Sequence, residues 1–183
     1  MYRNNILLTF SDFNDKSEIG IYKMKKSREV IPVEAIDFIS LETKQIARNL
    51  LNWIIVNNIN SIYNYRKNAG IFNHLAIRHN NENEYLVEIY MHKFDITVIN
   101  RLKFWNWANF NVKSVYYQIE DKNKNNFRDE YKLLCGDLYL YYKILDYKIA
   151  IKAGCFFQTN NSILLEMYSD IVNFFKKDKS YNL

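Results

Sequence analysis

The feature that most constrains this chain is a pair of apolar runs about a polar turn: "FNHLAIRH" and "YLVEIYMH", residues 72–79 and 85–92, separated by "NNENE". Short runs rich in Ile, Leu, Val and Tyr, bounded by turn-forming asparagines, read as an antiparallel β-hairpin. One face of such a hairpin must be buried, so the rest of the chain has to supply partners for it. "EIGIYKMKKSREVIPVEAI", 18–36, alternates apolar and polar residues on either side of a basic turn and predicts a second hairpin, with Pro32 near its end. After Ser40, read as an N-cap, "LETKQIARNLLNWIIVNN" places Ala47, Leu50, Leu51, Ile54 and Ile55 on one helical face, a core stripe.

Further along, "ITVINRLKFWNWANF" reads as helix and "VKSVYYQI" as strand. "EDKNKNNFRDE" is charged enough to be an exposed loop or hairpin tip. "GDLYLYYKILDYKIAIKAG" predicts two short strands, and the helix after "FFQTNN" is expected to bury Leu164, Met167, Tyr168, Ile171 and Phe175. The order of elements predicts an α+β fold: a mainly antiparallel sheet of hairpins with flanking helices. No internal repeat and no flexible linker interrupts it.

With 183 residues, 49% of them apolar and 16% aromatic, the chain is long enough for a sizeable core and unlike a disordered segment. Glycine occurs only 4 times and proline once, so asparagine is expected to take turn positions that glycine usually fills. A net charge of +5 and a pI of about 9.0 permit a polyanionic partner without demanding one. Cys135 and Cys155 form neither a metal-ligand spacing nor a disulfide framework, which suits an intracellular reducing compartment, whether cytosol, nucleus or organelle. No run approaches the roughly 18 apolar residues of a membrane span, so no membrane partner is expected. The opening "MYRNNILLTFSDFNDKSE" meets acidic residues too early for a secretory signal.

Chemistry read from the residues alone is sparse. His74 and His79 lie five apart on an expected strand and so point to opposite faces, which cannot build a metal site. Phosphate-binding glycine loops and the nucleophile elbow are not found. The most informative stretch is "KIAIKAGCFFQTNNSILLEMYSDIVNFF", where aromatic faces and an amide meet at a strand-to-helix junction.

Four segments, in order, resemble the RNA uracil-C5-methyltransferase family. "IGIYKMKKSREVIPVEAI" is similar to the segment before that family's central domain. "GIFNHLAIRHNNENEYLVEIY" is similar to its arginine-containing hairpin, and "NVKSVYYQ" to its strand "NVTSIYWQ". "YLYYKILDYKIAIKAGCFFQTNNSILLEMYSDIV" resembles its aromatic-aromatic-glutamine motif and the following helix. The likeness runs from about Glu18 to Val172.

The resemblance implies S-adenosylmethionine as methyl donor and an RNA uridine, in tRNA above all, as acceptor. In the family a cysteine adds to C6 of a flipped-out uracil and a glutamate later removes the C5 proton. By the same resemblance Gln158 belongs to the cofactor site and Phe156 lies near the target base. Asn160 fixes the turn at the helix start, and Arg78 contacts RNA. Residues 1–152 would form the central RNA-binding-type domain, and 153–183 the first motif and helix of a methyltransferase domain whose Rossmann-like body is not included. Ala153 stands where the family commonly has proline, and Asn73 where it usually has arginine or another polar residue. Neither Cys135 nor Cys155 matches the nucleophile, and the base glutamate has no counterpart. The expectation is a partial methyltransferase that holds RNA and supplies one wall of the pocket, inactive alone, with a second chain that carries the catalytic half among its expected partners. The alternative is a non-catalytic RNA-binding or assembly protein derived from such an enzyme.

Overall fold

A computed structural model describes residues 3–13, 16–24, 29–57, 59, 62–64, 67–120 and 130–177. Seven strands form one sheet: β1 (Asn5–Phe13), β2 (Lys16–Tyr22), β3 (Val30–Pro32), β4 (Phe72–His79), β5 (Tyr85–Met91), β6 (Val112–Ile119) and β7 (Lys132–Gly136), in the order β3-β2-β1-β4-β5-β6-β7. Both expected hairpins are present: β2 pairs antiparallel with β3, and β4 with β5. The strand expected at 112–119 is also there, but β6 runs parallel to β5, the one parallel pair in the sheet. Parallel neighbours need a crossover connection, and α2 (Ile96–Lys103) with the short 3-10 helix Trp107–Phe110 provides it. The helix expected over 96–110 therefore stops at Phe104 and resumes only as that 3-10 segment. Most of the predicted charged loop, 121–129, lies outside the described residues.

Two strands were not anticipated. β1 sits at the centre of the sheet between β2 and β4, and β7 forms its far edge.

One face of the sheet holds the main core. Ile6, Leu8 and Phe10 of β1, Leu75 and Ile77 of β4, and Val87 and Ile89 of β5 meet α1 (Leu41–Val56) and α2 there. Ser40 caps α1 as expected, its Oγ accepting from the Thr43 amide at 3.0 Å. Ala47, Leu50, Leu51 and Ile54 are buried, but Ile55 is exposed, because it lies past the edge of the stripe that Ile46 completes. Arg48 ties the helix to β2 and to the 3-10 turn Val33–Ala35 that follows β3, donating to Glu18 and Glu34 at 2.5 Å each. That guanidinium holds the Glu34 carboxyl below its ordinary range.

The opposite face supports a smaller cluster. β8 (Leu140–Ile144) and β9 (Tyr147–Ile151), the two short strands expected there, form a separate antiparallel hairpin. Their Leu140, Tyr142, Ile144 and Ile151 pack with Leu86, Tyr116, Ala153 and Leu164. Leu164 belongs to α3 (Asn161–Lys177). The expected buried stripe of α3 is corrected: Leu164 is buried and Tyr168 half-buried, whereas Met167, Ile171 and Phe175 are exposed. Only the first turns of this helix reach the hairpin cluster. Asparagine does replace glycine at left-handed backbone positions, at Asn68, Asn83 and Asn111.

Candidate functional site

The second face of the sheet is built from residues that alternate out of the main core. His74 and Arg78 of β4, Glu88 and Tyr90 of β5, and Ser114 and Tyr116 of β6 share it. The loop between β9 and α3, residues 152–160, lies across this face and carries the aromatic-aromatic-glutamine motif.

Polar side chains of the sheet hold the loop by its backbone. Arg78 is only 7% exposed, and its Nη2 donates to the Cys155 carbonyl at 2.9 Å. Glu88, 5% exposed, accepts from the Gly154 amide at 3.2 Å through Oε1 and from the Tyr90 hydroxyl at 2.8 Å through Oε2. Tyr90 and Tyr131 hydroxyls are 3.1 Å apart, and burial pushes both phenols well above their ordinary range. At the far end, Asn4 donates from Nδ2 to the Gln158 carbonyl at 3.2 Å and from its amide to the Thr159 carbonyl at 2.7 Å. Charged groups buried in this way are retained only with hydrogen-bonded partners, and here the partners are the loop's own peptide groups.

Gly154 lets the loop approach so closely. Its φ is +75°, and a β-carbon there would overlap the ring edge of Tyr131.

The loop's side chains then divide. Phe157 turns inward against Tyr142, ring centroids 4.4 Å apart. Phe156 turns outward and is 84% exposed, and Gln158 is exposed beside it. Asn160 caps α3, its Oδ1 accepting from the Ser162 and Ile163 amides at 3.0 and 3.3 Å. The four residues singled out from sequence are thus gathered on or under one loop, with different surroundings. Arg78 is not an open surface charge: one nitrogen holds the loop, while the buried Nη1 has no partner among the described residues.

Sequence reasoning passed over Glu88, Tyr90 and Tyr131. A glutamate inside the strand "YLVEIYM" was the available signal, since a carboxylate at a position facing away from the core needs a partner when it is covered. His74 adjoins this network, its Nδ1 3.0 Å from the Thr9 hydroxyl. Burial lowers its pKa, and the Glu120 carboxylate partly offsets that. His79 lies on the core side against Tyr85, so the two histidines do face apart. No group of three or more His, Cys, Asp or Glu among the described residues could hold a metal. Cys135 sits half-buried on β7, where desolvation raises its thiol pKa and weakens it as a nucleophile.

No family model matches the chain. It is similar to an uncharacterized RNA methyltransferase of Fusobacterium nucleatum, 29% identical over 177 residues, which are 95% of this chain and 38% of that protein. It is likewise similar to uncharacterized RNA methyltransferases of Clostridium acetobutylicum and Caldanaerobacter subterraneus, each 25% identical over 94% of this chain. The chain covers 39% and 40% of those two proteins, so it spans about two-fifths of the length of the relatives it matches. By sequence, then, its relatives are RNA methyltransferases. In fold, the chain is similar to the Pyrococcus abyssi tRNA (uracil-54, C5)-methyltransferase, solved with S-adenosyl-L-homocysteine, which superposes with a TM-score of 0.72 over 93% of this chain and 40% of that one, at 17% identity. The resemblance to the RNA uracil-C5-methyltransferase family, drawn from the motifs, agrees with both findings.

Proposed function

We propose that this chain is the N-terminal and central part of an RNA uracil-C5-methyltransferase, acting on tRNA. Residues 1–152 serve as its RNA-binding region, and 153–183 open its methyltransferase domain. The observation that carries the reading is the loop 152–160, clamped from beneath by Arg78 and Glu88 so that Phe156 and Gln158 stand outward together. An exposed, rigidly backed ring is a stacking surface for an extruded base. The exposed Gln158 side chain offers an NH2 donor group and a carbonyl acceptor to the polar end of S-adenosylmethionine, and a single amide makes only one wall of such a site. When bound, that cofactor supplies the methyl group. Arg78, buried beneath the loop, serves this surface by holding the Cys155 carbonyl and so positioning Phe156, rather than by touching RNA as the resemblance implied.

The chain is inactive alone on this reading. Neither Cys135, half-buried and weakened, nor Cys155, in a slot that varies in the family pattern, supplies the nucleophile. Completion comes from a further region of fold, in the same polypeptide or a second one. Ile163, Met167, Ile171, Phe174 and Phe175 give α3 an exposed apolar face that such a region would cover.

The test is native purification from the source organism with mass spectrometry of what accompanies the chain. The purified assembly is then incubated with unmodified tRNA and methyl-labelled S-adenosylmethionine. Appearance of 5-methyluridine, lost or greatly slowed in Phe156→Ala, is the expected result. An assembly that binds tRNA yet leaves its uridines unmethylated overturns the methyltransferase reading in favour of a non-catalytic RNA-binding protein.

A further inference from the structure

Away from loop 152–160, on the helix-bearing face of the molecule, three cavities of about 360, 460 and 580 Å³ adjoin one another. They share walls: Trp53 lines the first and third, Trp105 the first and second, and Phe104 the second and third. Together they form a recessed groove that follows the segment "RLKFWNWANF", walled on one side by the end of α1 and on the other by β6 and β7, each part of a size that takes a small ligand. Its chemistry is unusual for a packing defect. Phe104 is 85% exposed and buries nothing. Trp105 is held stiffly, stacked on Phe110 at 5.5 Å and 13° and edge-on to Trp107 at 4.3 Å. Trp107 is the structural member, buried with its Nε1 donating to the Leu102 carbonyl at 2.9 Å.

Around these rings stand exposed asparagines: Asn49, Asn52 and Asn57 from α1, Asn100 from α2, and Asn106 and Asn109 beyond it. Arg101 and Lys103 are the charged residues of the lining, and no carboxylate contributes to it. One exposed ring, Phe104, two half-buried ones, Trp53 and Trp105, amide edges and cations without an acid among the described residues describe a surface for unpaired nucleotides: rings stack the bases, amides meet their edges, and cations meet the phosphates. Asn49 and Asn57 already donate to the Gln45 and Trp53 carbonyls. An apolar protein partner would still leave the amides of Asn52, Asn100, Asn106 and Asn109 and two cations to be desolvated without matching groups.

We propose that this groove binds a single-stranded stretch of RNA, with bases stacked on Phe104, Trp105 and Trp53 and phosphates at Arg101 and Lys103. The proposal rests on the reading of the chain as an RNA-methyltransferase part, but concerns a second RNA segment, separate from the one at Phe156.

All three tryptophans of the chain, Trp53, Trp105 and Trp107, line this groove, so the protein carries its own reporter. Titration of the full chain with a single-stranded oligo(U) ribonucleotide is expected to quench tryptophan emission. Phe104→Ala, at an exposed position that leaves the core untouched, should weaken binding about 5-fold or more, the loss of one stacked base. Arg101→Gln should lower the dependence of log Kd on log salt by about 0.7, one phosphate contact on a single strand. Phe156→Ala should leave the extent of tryptophan quenching at saturation unaltered even where total oligonucleotide binding falls, which separates this groove from the candidate site. The proposal is overturned if the oligonucleotide binds without quenching, or if Phe104→Ala binds as the parent does. It is overturned equally if the chain dimerises through this face in sedimentation and Phe104→Ala abolishes the dimer without affecting RNA.

Discussion

Replacing Gly154 by alanine tests whether the loop is held as closely as the geometry requires. Two costs add. The residue sits at φ +75°, where an L-residue with a β-carbon loses about 1–2 kcal/mol. The new methyl also overlaps the Tyr131 ring edge, so that ring must turn away and give up its 3.1 Å hydroxyl contact with Tyr90. A neutral hydrogen bond of that kind contributes about 0.5–1.5 kcal/mol. The expected loss is about 1.5–3.5 kcal/mol, which in a chain of this size lowers Tm by roughly 3–14 °C. Urea and thermal unfolding followed by circular dichroism measure it. Tyr131→Ala removes the ring but not the backbone cost, so the double variant should fall short of the summed losses by about 1 kcal/mol. A Gly154→Ala protein within about 0.5 kcal/mol of the parent, or strict additivity with Tyr131→Ala, refutes the reasoning.

His74 gives a pH effect whose sign follows from its burial. Its folded pKa lies below the unfolded value, so the unfolded chain binds the proton more readily and stability falls as pH drops through the unfolded pKa of about 6.5 toward the folded one. Urea midpoints should therefore decline between pH 7.5 and 5.5, and His74→Gln should flatten that decline. Ser40→Ala should cost about 1–2 kcal/mol in the same unfolding assay, because Oγ caps α1 and also meets the Thr43 and Tyr85 hydroxyls in a buried setting. Asn160→Ala removes an exposed cap, so its loss should be nearer 0.5–1 kcal/mol and show as faster amide exchange in the first turn of α3.

What the sequence made legible was local. Hairpins with polar turns, the Ser40 cap and the period of α1 are written in neighbouring residues, and each was found. β1 escaped because Leu7 fills an outward position between Ile6 and Leu8, which blurs the alternation that Ile6, Leu8 and Phe10 otherwise carry. The parallel pairing of β5 and β6 depends on where α2 returns the chain, and no residue in either strand encodes that. For α3 the helical period was right but the partner was not: the hairpin β8–β9 is too short to cover more than its first turns. At the candidate site, Phe156, Gln158 and Asn160 were visible as a motif. The buried state of Arg78 was not, because it arises from a carbonyl 77 positions away.

Sequence separation also sets the order in which this site can come into being. Arg78 and Glu88 reach the loop across 77 and 66 residues, and Asn4 reaches it across 154. Closing such long loops costs entropy before any contact repays it, so these contacts form late in folding. During synthesis from the N-terminus, the first residues must wait for nearly the whole described chain before Asn4 meets its carbonyl partners at Gln158 and Thr159. The orientation of Phe156 thus becomes fixed only after the sheet beneath it is complete, which makes an assembled loop a report on the folding of everything before it.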